Sequence, residues 1–224
     1  MIPAPQPLRW PPIFPVDRNL VLWFAFDERS GARLWDRSGK RNNGTITGAS
    51  WVAAKRGAAL RFDGLDDYVK VTHATAINPA TQITLLAWCK INVDAPASRN
   101  PLTKYATVAP WNGYGLSELG APTAGRPGIW VGAAAFVYAP VDIRDGAWHN
   151  WAGSTDGVTT RFYLDGTLRS AVAQTPNLQS TVDLYLSYSL PDATYTPGEI
   201  ANVQIYNRAL NAAEIKRLYE ATIG

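Results

Sequence analysis

The segment from Tyr105 to Tyr114, with Trp130 and Tyr138 further along the chain, sets aromatic rings beside the amide of Asn112. Rings stack on the C–H faces of a sugar while amides take its hydroxyls, so this is a chemistry of saccharide recognition. Trp111, Asn112, Tyr114, Trp130 and Tyr138 are therefore the ligand-binding candidates. Bond-breaking chemistry has less to work with. The two histidines, His73 and His149, have no metal-ligand spacing between them. Cys89, the single cysteine, lies in the apolar run Ile83 to Ile91 and is expected to be a small buried hydrophobe. His149, between Trp148 and Trp151, is expected to be a buried, hydrogen-bonded imidazole that holds structure. Asp66 and Asp67 are adjacent and would point to opposite faces of a strand, which makes a poor acid–base dyad.

Those side chains need a scaffold, and the composition permits one. Of 224 residues, 46% are apolar and 17% charged, with nine Trp and ten Tyr as bulky core material, so burial can outweigh chain entropy. The 21 basic and 18 acidic side chains are interspersed, with no basic stripe for nucleic acid. No run of eighteen apolar residues or basic-then-apolar leader is visible, so membrane insertion is not expected. Pro3, Pro5, Pro7, Pro11, Pro12 and Pro15 make residues 1–19 an extended, polyproline-like arm. Leu8, Trp10, Ile13 and Phe14 are too apolar for an inert linker. They are expected to pack on the domain's own surface or, more pointedly, on a neighbouring subunit.

Residues 20–224 then read as one domain of many short strands. The first is Leu20 to Phe26, followed by Ala59 to Phe62, Tyr68 to Val71 and Ile83 to Ile91. Gly128 to Gly132, Ala135 to Tyr138, Trp148 to Ser154, Arg161 to Leu164, Leu168 to Val172, Val182 to Tyr188 and Ile200 to Tyr206 complete the set. Asp156-Gly157 and Asp165-Gly166 suit tight hairpin turns, and the segment Tyr105 to Tyr114 reads as irregular. A single helix is expected over Asn211 to Ala221, with Asn211 as cap, Glu214 three residues on, and Ile215, Leu218 and Tyr219 on one face. Such a pattern predicts an all-β, two-sheet antiparallel jelly-roll sandwich closed by one short C-terminal helix.

The turn motifs also carry a resemblance. Phe24-Ala25-Phe26-Asp27 followed by Ser30-Gly31, then Asp36 to Gly39, Asn43-Gly44, and Phe62-Asp63-Gly64-Leu65-Asp66-Asp67-Tyr68-Val69 come in order. Trp88, Trp148-His149, Tyr163-Leu164-Asp165-Gly166 and Ile205-Tyr206-Asn207-Arg208-Ala209-Leu210 follow. In this the chain resembles the laminin-G-like, concanavalin A-like lectin/glucanase superfamily, particularly its pentraxin-related branch, over nearly all of residues 20 to 221. The resemblance implies the same sandwich and, as in many relatives, a calcium ion. Asp36, Asn43, Asp66 and Asp67 are the oxygen ligands it leaves here, since Ala201-Asn202 stands where the family usually has Asp-Glu. Glycosidases of the superfamily use a Glu-x-Asp-x-Glu strand. The five glutamates, Glu28, Glu118, Glu199, Glu214 and Glu220, form no such triplet. The expected function is therefore non-catalytic: an adhesive or structural component of a larger assembly such as a phage or viral particle, with glycan binding as a further capacity. The alternative is a lectin-like carbohydrate-binding module of a secreted protein. The expected location is the virion surface or the extracellular space.

Overall fold

The computed structural model describes residues 17–54, 56–91, 99–106, 108, 111–119, 125–132 and 134–223. The arm residues Leu8, Trp10, Ile13 and Phe14 lie outside the described residues.

The strand Gly198–Tyr206 is buried at all nine positions, as its run of Ile200, Val203 and Ile205 requires. One edge pairs antiparallel with Ile83–Lys90. The other edge is shared: Ala58–Phe62 takes Gly198 to Ile200, and Leu20–Phe24 takes Val203 to Tyr206. Between them the register slips, and Asn202 adopts φ 43°. Its Oδ1 accepts hydrogen bonds from Trp23 Nε1 at 3.0 Å and Gln204 Nε2 at 3.1 Å. A short amide side chain tolerates this left-handed backbone, and the irregularity bends the strand as bulges do.

From Ile83–Lys90 the sheet continues through Trp148–Thr155, Thr159–Leu164 and Thr167–Ala173, all antiparallel; Ser50–Ala53 forms its other edge beside Ala58–Phe62. At the second hairpin Asp165 and Gly166 have φ 52° and 70°, the pair of positive angles a two-residue turn needs. A Cβ on Gly166 would stand 2.7 Å from the Tyr219 ring, so only glycine fits. At the first hairpin the turn is longer: the Asp156 carboxylate accepts from the backbone N–H of Val158 and Thr159, and only Gly157 has positive φ.

The facing sheet runs Val137–Tyr138, Arg126–Val131, Gly113–Leu119, Arg99–Tyr105, Leu184–Leu186, Tyr68–Val71, Gly44–Thr47 and Arg33–Leu34. The predicted Val182 to Tyr188 strand ends at Leu186, because Ser187 turns to φ 67° and Tyr188–Ser189 pairs with Thr194–Tyr195 instead. Tyr105 to Tyr114, read from sequence as irregular, has strands at both ends. Leu22, Phe24, Leu85, Leu116, Ile129, Trp151 and Ile205 fill the space between the sheets in one cluster. Among the described residues no helix is long and apolar enough to cross a membrane.

The helix Ala212–Ile223 packs on the outer face of the first sheet, where Ile215 joins Leu86, Tyr163 and Tyr206. Tyr219 stacks on Trp88 at 5.8 Å, and Thr222 accepts the Trp88 indole N–H at 3.0 Å. Its start is a reciprocal cap: Asn211 Oδ1 accepts from Glu214 N at 3.0 Å while Glu214 accepts from Asn211 N at 2.8 Å. Replacing Asn211 by Ala should lower the unfolding free energy by about 1 kcal/mol in a denaturant titration, and an unchanged midpoint would show the cap to be idle.

Candidate functional site

Strand alternation determines which side chains the second sheet shows to solvent. Leu102, Tyr114, Leu116, Ile129 and Val131 are fully buried toward the core, so Thr103, Tyr105, Gly115, Ser117 and Trp130 project from the outer face. Trp130 lies opposite Gly115 in the ladder. Tyr105 sits against it with ring centroids 4.7 Å apart. These rings, with Trp111, Phe136 and Pro191, line a groove of about 440 Å³ whose polar lining includes Asn100, Ser117, Glu118 and Asp192.

The polar groups of the groove hold each other in place. Asp192 accepts from Ser189 Oγ at 2.6 Å and from the Tyr105 hydroxyl at 3.3 Å. Burial pushes the Tyr105 phenol up to about 12, so it stays protonated at neutral pH. Ser117 Oγ donates to Asn100 Oδ1 at 2.8 Å. Glu118, fully buried, pairs with the Arg99 guanidinium and accepts the Gly125 N–H. Both carboxylates at the groove thus serve as fixed acceptors.

Of the five sequence candidates, Trp111 and Trp130 line this groove. Trp111 is 45% exposed. Tyr114 corrects the expectation: it is wholly buried, its hydroxyl donating to the Ile77 carbonyl at 2.7 Å, because strand Gly113–Leu119 turns it inward. Asn112 is engaged with Asn177 at 2.8 Å. Tyr138 stands at the margin, stacked on Phe136 at 5.9 Å and covered by Arg126. Tyr105, Phe136 and Asp192 complete the groove. The alternation Gly113, Gly115, Ser117 against Tyr114, Leu116 is the signal that would have turned Tyr114 inward.

The calcium candidates separate into two places. Asp36 is saturated: its carboxylate accepts from Trp23 N at 3.0 Å, Ser38 N at 2.9 Å, Ser38 Oγ at 2.8 Å and Asn42 N at 2.9 Å. Asn43 Oδ1 accepts the Asp36 N–H at 3.0 Å. These two residues hold the loop together. Asp66 and Asp67 meet Asp63, with one carboxylate oxygen of each within 4.8 Å of the others. Burial and the neighbouring Asp63 and Asp66 charges raise the Asp67 carboxyl above its ordinary range. This triplet is the set that fits a hard cation, although three carboxylates are fewer than the six to eight oxygens calcium takes.

His149 is hydrogen-bonded, as the sequence reading expected, but half-buried, and its partners are two acids. Its Nδ1 meets Asp165 at 2.8 Å and its Nε2 meets Asp145 at 3.2 Å; Asp165 also accepts the Asn150 N–H at 2.8 Å. The ladder sets His149 opposite Cys89, but complete burial pushes that thiol far above its usual range, so no thiolate forms. Hydrogen bonding to Asp165 raises the imidazole pKa above 6.5. The folded state therefore binds this proton more tightly, and the stabilisation is complete below 6.5 and lost as pH climbs through the raised value. The melting-temperature difference between wild type and His149→Gln should shrink from about pH 5.5 to about pH 9; a constant difference would refute the clamp.

The fold and its turn motifs define a lectin-type sandwich. A family model described as the concanavalin A-like lectin/glucanases superfamily matches residues 62–216, and the chain belongs to that family. No curated protein matches it significantly. Among solved structures it is similar to domain 4 of AbnA, an extracellular arabinanase from Geobacillus stearothermophilus, in complex with arabinotriose. There the TM-score is 0.71 at 18% identity, covering 90% of this chain and 98% of that one. The binding domain of Paraclostridial Mosquitocidal Protein 1 is also similar, with TM-score 0.72 at 15% identity, covering 91% of this chain and 52% of that one. So is the sialidase of Trypanosoma rangeli in complex with 2,3-difluorosialic acid, with TM-score 0.68 at 17% identity, covering 93% of this chain and 34% of that one. At these identities the likeness is one of fold.

Proposed function

We propose that this protein is a non-catalytic saccharide-binding sandwich whose groove on the outer face of the second sheet takes a neutral glycan. The observation that carries it is the set of rings from Tyr105, Trp111, Trp130 and Phe136 around fixed acceptors. Asp192 lines the groove beside Glu118, which is already paired with Arg99, and among the described residues no lysine or arginine lines it, so a sugar carboxylate or sulfate would meet the Asp192 charge without a counter-ion. The arabinotriose complex of the arabinanase domain supports a saccharide as the class of ligand. The order of turn motifs from Phe62 to Leu210 supports placement in the pentraxin-related branch. Asp63, Asp66 and Asp67 are the residues that would hold a calcium ion.

On a glycan array, neutral oligosaccharides should bind and sialylated or uronate-bearing ones should not. Trp111→Ala or Trp130→Ala should weaken binding by about tenfold, the loss of one aromatic face. No hit up to millimolar affinity, with both variants silent, would sink the reading.

A second reading places this sandwich on the surface of a larger assembly, such as a phage or viral particle, or in the extracellular space as a secreted module. The feature that supports assembly is the sequence of the arm, where Leu8, Trp10, Ile13 and Phe14 alternate with prolines. Deleting residues 2–16, which spares the Asp17–Arg208 clasp, should leave the melting transition intact while abolishing self-association in light scattering. Unchanged assembly would remove this reading.

A further inference from the structure

A second cavity lies at the far edge of the same sheet. It measures about 360 Å³ and is lined by Arg33, Arg41, Asn43, Thr45, Thr72 and His73, among others. Its charge is of one sign. Among the described residues neither Arg33 nor Arg41 meets a carboxylate within ion-pair distance. Arg33 instead lies over the Trp35 ring at 5.2 Å. Asp183, the nearby acid, is taken by Lys70 at 2.9 Å and by the His73 backbone N–H at 2.8 Å.

Behind the cavity sits Lys104, fully buried. Its ammonium donates to the carbonyls of Ser180 and Val182, the latter at 2.9 Å, and lies 3.2 Å from His73 Nδ1. An ammonium has only donors, so Nδ1 must accept and the neutral ring carries its proton on Nε2. Burial and the Lys104 charge hold the His73 pKa below its usual value, which keeps that tautomer at neutral pH. The Nε2–H has no acceptor among the described residues. Among the described residues nothing accepts from the amide N–H groups of Asn43 either, whose Oδ1 is used by the Asp36 N–H.

The loop that carries Arg41 is built to hold it. Arg41 adopts φ 63°, a left-handed backbone costly for a long side chain, and Asp36 fixes the turn on both sides of it through Ser38 and Asn42. Two exposed guanidinium groups, an imidazole N–H and an amide around one cavity have no protein acceptor among the described residues, and a multivalent oxyanion accepts from several such donors at once.

We infer that the cavity bounded by Arg33, Arg41, Asn43 and His73 binds an oxyanion, the sulfate or phosphate group of a ligand, independently of the glycan groove. The cavity exceeds what a bare ion fills, which leaves room for the molecule that bears it.

The test follows the His73 imidazole resonances by NMR during titration with inorganic sulfate, inorganic phosphate, and a sulfated disaccharide beside its unsulfated parent. The anions and the sulfated sugar should give saturable shifts, and the parent none. Arg33→Gln or Arg41→Asn should each weaken binding by about tenfold. Arg169→Gln, an exposed cation on the opposite sheet, should not. Saturation by the inorganic ions but not by the sulfated sugar would assign the cavity to a free anion. No saturable shift up to about 100 mM, or equal weakening by Arg169→Gln, would overturn the site and leave the groove unaffected.

Discussion

The slip at Asn202 is the constraint on which the sandwich turns. One strand serves two partners on a single edge, Ala58–Phe62 along Gly198 to Ile200 and Leu20–Phe24 along Val203 to Tyr206, and between these stretches its pairing with Ile83–Lys90 on the other edge breaks register from Ala201 to Gln204. The break would be costly if its polar groups were orphaned. Asn202 instead ties Trp23 and Gln204 together, and Gln204 accepts the Tyr206 hydroxyl at 3.0 Å, so a buried chain of amides and rings stabilises the bend. Asn202 is thus an internal hydrogen-bond junction.

That junction fixes the first sheet, and the two outer faces then diverge. Ala212–Ile223 covers the outer face of the first sheet with Ile215, Leu218 and Tyr219. The outer face of the second shows rings instead: Tyr105 and Trp130 at the groove, then Tyr185 and Tyr188, whose centroids are 5.1 Å apart. Buried charge supports this face from beneath. The buried Arg99–Glu118 pair bridges adjacent strands, and removing either partner would leave the other charge buried and uncompensated.

The same buried charge explains what sequence reasoning could see. Core strands such as Ile83–Lys90 and the cap at Asn211 were legible because apolar periodicity and a capping box are local signals. Arg99–Tyr105 was not, since Arg99, Asn100, Thr103 and Lys104 are buried polar residues whose partners, Glu118, Ser117, Tyr188 and Ser180, lie far along the chain. Losing that strand hid the next one, and Tyr114 was assigned to the surface when its alternation turns it inward. Trp111 and Trp130 were recognisable by type. Their meeting with Phe136 and Asp192 required the topology. The four calcium candidates fall in two separate places for a similar reason, because a carboxylate's spare lone pairs can be counted only when its neighbours are known.

Arg208 gives the molecule a back and a front. It clasps Asp17 at 2.9 Å and Glu214 at 2.8 Å, fastening the incoming chain to the start of the terminal helix on the covered side of the first sheet. The aromatic groove opens on the opposite side. A tether at either of these points would hold the protein by its back and present its rings outward, so attachment and recognition need not compete for the same surface.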